Sequence, residues 1–273
     1  MIFQQKLDII VAKQNTLLCV GLDSEITKIP EQVRRKKNPQ FTFNKAIIDA
    51  TYDLVCAYKP NSAFYEARGA AGIEELKMTC DYLRTQCPQI SIILDAKRAD
   101  IGSTNEGYVT YAFDYLGVEA ITLHPYLGRE ALQPFLDRKD KGCIILCRTS
   151  NPGAGELQDL VLDGKPLYQI IAQKVVKEWN THGNCALVVG ATYPSELAIV
   201  RRIVGDQMPL LVPGIGTQGG DIGKTLQAGL NGQKRGLIIN SSRGIIFAGS
   251  GEDFAQKARA ATEQLRIEIN HYR

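Results

Sequence analysis

Apolar residues recur along this chain in short runs closed by charged, glycine or proline positions. Eight of these runs read as strands: Leu17–Leu22, Cys56–Lys59, Ile90–Lys97, Glu119–His124, Cys143–Cys147, Cys185–Val189, Leu210–Pro213 and Gly236–Asn240. Between them the apolar spacing turns helical. Gly72–Gln86 places Ile73, Leu76, Met78, Cys80 and Leu83 near one face. Pro166–Asn180 opens on a proline and spaces Leu167, Ile170, Ile171, Val175 and Trp179 helically. Pro194–Val204 carries Ser195 and Glu196 in its first turn, and Glu252–Arg273 reads as a long closing helix. Short apolar strands alternating with helices predict a parallel sheet covered on its outer face. Eight repeats in this length predict a (β/α)8 TIM barrel rather than an open doubly wound sheet. No linker divides the chain, so residues 1–273 are expected to form a single barrel domain.

Composition adds few constraints. The chain has 273 residues, 44% of them hydrophobic and 22% charged, with a net charge of +3. That balance demands neither nucleic acid nor an anionic membrane as partner. The first sixteen residues carry Lys6, Asp8 and Lys13, which interrupt the apolar core a signal peptide needs. No apolar stretch approaches membrane-spanning length. The seven cysteines are scattered, and several sit in apolar runs, as reduced core thiols of a cytoplasmic protein do. With three histidines and no CxxC pair, a zinc site is not expected. The basic run Arg34-Arg35-Lys36-Lys37 reads as a solvated loop. His124, before Pro125, reads as a mouth or packing residue, and Trp179 as core.

The candidate chemistry lies at strand ends. In Asp95-Ala96-Lys97-Arg98-Ala99-Asp100-Ile101 a carboxylate and an amine close an apolar strand, where charge is costly unless paired. Strand alternation puts Ile93, Asp95 and Lys97 on one face, the barrel interior, at the C-terminal mouth. Ser103 or Thr104 is placed to cap the helix that follows. Other strand ends match this pattern: Asp23 after the first, Lys59 before Pro60 on the second, Ser150 and Asn151 after the fifth, Arg243 after the eighth. Barrel stability does not require polar groups on so many separate ends, whereas a convergent site does. Gly214-Ile215-Gly216-Thr217-Gln218-Gly219 satisfies GxGxxG, yet only one strand follows and no acidic ribose ligand ends it. With Arg243 and Gly244 on the adjacent strand end, these turns read better as a phosphate cradle.

These residues together resemble the orotidine 5′-phosphate decarboxylase family, of the monofunctional bacterial type. The resemblance runs from Leu18-Cys19-Val20-Gly21-Leu22-Asp23 to Asn240-Ser241-Ser242-Arg243-Gly244. Its most specific element is D-x-K-x-x-D-I, here Asp95, Lys97, Asp100 and Ile101. Thr149-Ser150-Asn151-Pro152-Gly153 and the segment from Pro213 to Gly220 also look like family loops. The resemblance implies conversion of orotidine 5′-monophosphate to uridine 5′-monophosphate without a metal or other cofactor. Lys97 would protonate C6 of the pyrimidine, with Asp95 beside the departing carboxylate. Lys59, Asp95, Lys97 and Asp100 would form an alternating charge array. Asp100, with Ile101 and Thr104, would serve the neighbouring subunit of a homodimer. Asp23 and Lys59 would bind ribose hydroxyls, and Ser150 the pyrimidine. Arg243, Gly244, Gln218 and Gly219, beside Pro213, would hold the phosphate. Two alternatives stay open: a metal-dependent sugar-phosphate decarboxylase or aldolase of the same barrel superfamily, and a barrel that binds nucleotide without catalysis. The loop Gly155–Lys165 receives no role.

Overall fold

The apolar runs close into a barrel in a computed structural model that describes residues 2–215 and 221–273. Its strands are β1 (Leu18–Gly21), β2 (Ala57–Lys59), β3 (Ser91–Arg98), β4 (Ala120–Leu123) and β5 (Gly142–Arg148). A short antiparallel hairpin, β6 (Val161–Leu162) and β7 (Lys165–Pro166), comes next. Then follow β8 (Cys185–Val189), β9 (Leu210–Pro213) and β10 (Leu237–Ser241). The barrel order is β1-β10-β9-β8-β5-β4-β3-β2, and every neighbouring pair in it is parallel. The eight expected strands are therefore the eight barrel strands, each within a residue or two of its predicted ends. The hairpin was not expected. It lies within the loop Gly155–Lys165 and its margin, outside the barrel.

The strands read as unbroken apolar runs because both of their faces are buried, one in the barrel and one under helices. The helices Gly69–Gln86, Pro194–Val204 and Phe254–His271 lie where the apolar spacing put them. The segment after Pro166 is helical over Leu167–Lys174 and widens into a π-turn over Val175–Trp179. Trp179 is buried, as expected, and all seven cysteines are free and buried. Three further helices, Phe3–Gln14, Pro39–Thr51 and Gly128–Leu136, add to the predicted set. The first buries Phe3, Leu7, Ile10 and Val11 along one stripe. It closes the N-terminal end of the barrel: the Phe3 amide donates to the Asp140 carbonyl at 3.1 Å, and Lys6 pairs with Glu119 at 2.6 Å.

Two local expectations are corrected. Alternation along β3 does not continue to Lys97. The register with β4 advances two residues, Ile121 to Leu123, while β3 advances four, Leu94 to Arg98. Lys97 sits in this bulge at φ 48°, in the left-handed region. Ser103 and Thr104 do not cap the helix Gly102–Val109, whose start carries no side-chain cap. Instead Asp100 Oδ1 accepts from the Ile101 amide at 2.7 Å, and Asn105 Oδ1 accepts from the Asp100 amide at 2.8 Å.

Candidate active site

Two strand ends, β2 and β3, bring charge together at the C-terminal mouth. Lys59 ends β2, and just beyond it the Pro60 carbonyl accepts from the Asp95 amide at 2.9 Å, which ties the two strand ends together. The Lys59 ammonium donates to Asp95 Oδ2 at 2.7 Å. Lys97 donates to Asp95 Oδ1, also at 2.7 Å. The three side chains differ in depth: Lys59 is 4% exposed, Asp95 12% and Lys97 48%. Thr122 on β4 completes the frame. Its hydroxyl donates to Asp95 Oδ1 at 2.9 Å and accepts from the Lys97 amide at 2.9 Å. That second bond holds the bulge, so one threonine fixes both the carboxylate and the turn that aims Lys97.

The electrostatics follow from depth. Burial alone would raise the Asp95 pKa, but Lys59 first and then Lys97 outweigh it and hold the carboxyl well below the usual range. Burial likewise opposes charge on Lys59, yet Asp95 and then Asp23 outweigh it and hold its pKa above an ordinary lysine's. Asp95 and Lys59 are thus held as a carboxylate–ammonium pair, with Lys97 on the other carboxylate oxygen.

This array faces a cavity of about 430 Å³. Asp23, Lys59, Asp95, Lys97, Ser150, Pro213 and Arg243 all line it. Sequence reasoning assembled these seven from six different strand ends. Two carboxyl or amide oxygens at the cavity wall, Asp23 Oδ1 and Asn240 Oδ1, are buried without a hydrogen-bond partner among the described residues. Orphaned acceptors at a cavity suit a ligand rich in hydroxyl donors. Arg243 lines the same cavity, as do Ser242 and Gly214, the latter at φ +100°. Close packing sets this strand end: a Cβ at Gly21 would lie 1.9 Å from Ser242 Oγ. Gly244 follows Arg243 in the short turn Arg243–Ile246 and is not among the lining residues. Gln218 and Gly219 lie outside the described residues.

Asp100, Ile101 and Thr104 are elsewhere. None of them lines the cavity of its own chain. Ile101 is 62% exposed, and Thr104 is exposed beside it. Among the described residues, the ion-paired array at the mouth of one chain joins Lys59, Asp95 and Lys97. Sequence reasoning missed Thr122, Asn61, Thr149, Gln158 and Asn240, all of which line the cavity. Asn240 is a polar residue closing an apolar strand run, the same signal that marks Lys59. His124 sits near the mouth, its ring Nε2 3.2 Å from the Ala99 carbonyl. Among the described residues, no three His, Cys, Asp or Glu side chains gather as a metal site does.

Fold and cavity together define a (β/α)8-barrel enzyme class with acid–base groups at the C-terminal mouth. A family model described as orotidine 5′-phosphate decarboxylase / HUMPS matches residues 16–259, and the chain belongs to that family. An orotidine 5′-phosphate decarboxylase of Janthinobacterium sp. (strain Marseille) is 51% identical over 272 residues, covering 100% of this chain and 99% of the relative. One from Cellvibrio japonicus is 50% identical, covering 99% and 98%. Among solved structures, the Leishmania donovani OMP decarboxylase is 39% identical with a TM-score of 0.85, covering 100% of this chain and 98% of that one. The same organism's UMP synthase gives a TM-score of 0.87 at 39% identity, but this chain covers only 56% of it.

Proposed function

We propose that this chain decarboxylates orotidine 5′-monophosphate to uridine 5′-monophosphate, with Lys97 as the acid and no cofactor. The observation that carries the mechanism is the Lys59–Asp95–Lys97 array, two ammonium ions on opposite oxygens of one carboxylate. Breaking the C6–carboxylate bond releases carbon dioxide and leaves its electron pair on C6, where the ring cannot delocalise it. A fixed ammonium beside that carbon stabilises the developing charge. Lys97 then passes a proton from Nζ to C6, and the resulting amine regains its proton from solvent. Asp95, held ionised, sits beside the departing carboxylate. Its main physical role is to fix the two ammonium ions without reorganisation during the reaction.

The remaining wall serves binding. Asp23 and Lys59 take ribose hydroxyls, which supply the donor that Asp23 Oδ1 lacks. Ser150 hydrogen-bonds the pyrimidine. Arg243 and Gly244, with Gln218 and Gly219 beside Pro213, hold the phosphate. Binding energy far from C6 is then available to organise the site. The active unit is a homodimer in which Asp100, Ile101 and Thr104 of the partner subunit complete the array. The exposure of Ile101 and Thr104, and the absence of all three from the lining of their own cavity, support this reading. Residues 1–273 act as one domain, which the packing of both chain ends on one barrel supports: Asn270 donates to the Asn15 carbonyl at 2.9 Å. The enzyme works in the cytoplasm, on free nucleotide, with neither nucleic acid nor membrane as partner. No helix among the described residues is long and apolar enough to cross a membrane.

The test is an ultraviolet assay. Chelator-treated protein should turn over orotidine monophosphate at the untreated rate. Loss of turnover restored by a divalent cation would favour the metal-dependent alternative. Binding of uridine monophosphate without any turnover would favour the non-catalytic one.

A further inference from the structure

The loop Gly155–Lys165 doubles back onto the end of β5. Pro152–Ala154 and Gly155–Gln158 form successive helical turns, and the β6–β7 hairpin follows. Two consecutive side chains of this excursion bond to the end of β5. Gln158 Oε1 accepts from the Thr149 amide at 2.8 Å, and its Nε2 donates to Thr149 Oγ1 at 2.9 Å. Thr149 Oγ1 in turn donates to Asn151 Oδ1 at 2.7 Å. Asp159 Oδ2 accepts from Arg148 Nη2 at 2.9 Å. Arg148 is 3% exposed, and its guanidinium lies 4.0 Å over the Tyr193 ring. On the other side, Gly190 lies against Ser150, where a Cβ would come within 2.7 Å of the serine Cβ. Thr149, Ser150, Asn151 and Gln158 all line the cavity.

We propose that Gln158 is a positioning residue for the base-binding wall: it grips Thr149 at both backbone and hydroxyl and so sets Ser150 against the pyrimidine. This rests on the assignment of Ser150 above. Gln158 Oε1 also accepts from Arg148 Nη1 at 3.5 Å, so its amide ties the end of β5 together from Arg148 to Thr149. The Arg148–Asp159 pair anchors the excursion so that Gln158 cannot swing away. A loop to which the sequence assigns no role is thus a buttress behind one part of the site. It touches neither the array at Asp95 nor Arg243.

The test separates base recognition from the rest of the site. Ribose 5-phosphate, which lacks the base, is the reference ligand against uridine monophosphate. Gln158→Ala should weaken uridine monophosphate binding about tenfold, the scale of one lost hydrogen bond, and leave ribose 5-phosphate inhibition unchanged. Gln158→Glu, which keeps the acceptor for the Thr149 amide, should recover part of the loss. Thr149→Val tests the same contact from its other side should Gln158→Ala fail to fold. The double variant should be no weaker than the weaker single one. Unchanged uridine monophosphate affinity, an equal loss for both ligands, or additive losses would each overturn the proposal. Wild-type turnover of orotidine monophosphate, measured alongside, reports separately on the proposed function.

Discussion

Lys59 and Asp95 form an ion pair at 2.7 Å in which neither side chain is more than 12% exposed. Lys97 meets the same carboxylate at the same distance, but from a half-exposed position. The two lysines are equivalent in geometry and unequal in consequence. Removing Asp95 deprives the buried Lys59 ammonium of its hydrogen-bonded counterion and leaves Asp23 alone to oppose its desolvation. Asp95→Ala should therefore destabilise the fold by about 3–5 kcal/mol, the range for a buried pair broken on one side. Urea unfolding checks this. A loss below about 1 kcal/mol would mean that water reaches Lys59 freely and that the array is not rigid.

Lys97 makes the opposite prediction. Its side chain is half-exposed, so truncation should cost little stability. Its backbone, at φ 48°, is strained for any residue with a Cβ. Lys97→Gly should accordingly be more stable than Lys97→Ala by about 1 kcal/mol. Both variants should lose at least about 10²-fold in kcat, the lower end for a general acid, while still binding uridine monophosphate. Strain kept at a position that packing does not need fits a functional demand. Equal unfolding midpoints for the two variants would show that the bulge relaxes once the lysine is gone. Near-wild-type turnover would remove Lys97 from the mechanism.

The charge lock also sets a pH dependence. Asp95 has a folded pKa below its unfolded value of about 3.9. Its contribution is fully present above that value and is lost as pH falls through the folded one. Lys59 is raised, so its contribution holds below the unfolded lysine value of about 10.4 and is lost only as pH rises further. The stability difference between wild type and Asp95→Asn should stay constant from about pH 9 to pH 5 and shrink below about pH 4. Urea midpoints across that range would show it. Shrinkage already at pH 6 would contradict the depressed carboxyl.

The barrel and its charged mouth were legible because both break simple rules. Asp95 and Lys59 are charges closing apolar runs, and such placements are expensive enough to be read as signal. Thr122 was not legible, because a threonine inside Ala120–Leu123 is an ordinary strand former. Its two bonds to Asp95 and Lys97 exist only once β3 and β4 are paired. Gln158 is hidden for the same reason: its partner lies nine residues earlier, across a chain reversal that the sequence marks only with glycine and proline. The bulge at Lys97 escaped because alternation assumes a regular pleat. The helix Phe3–Gln14 escaped differently. Its apolar stripe is regular, but Lys6, Asp8 and Lys13 between those positions stand out first as interruptions of an apolar run.

Asp100 carries the last prediction. Its carboxylate turns back to the Ile101 amide, and Ile101 beside it offers an exposed apolar side chain. An aspartate three residues beyond Lys97 that does not reach its own cavity is either a local turn former or a contribution to a second copy. The two roles separate in mixed assemblies. Lys97→Ala and Asp100→Ala should each be inactive alone. In a hybrid dimer one site collects both substitutions, and the other collects intact Lys97 from one chain and intact Asp100 from its partner. Random exchange between equal amounts should therefore restore roughly a quarter of wild-type activity, since half of the dimers are hybrids with one working site each. Stopped mixing below the exchange time should restore none. If subunits demonstrably exchange and activity stays absent, Asp100 acts only within its own chain. If Asp100→Ala alone keeps full activity, the array ends at Lys97.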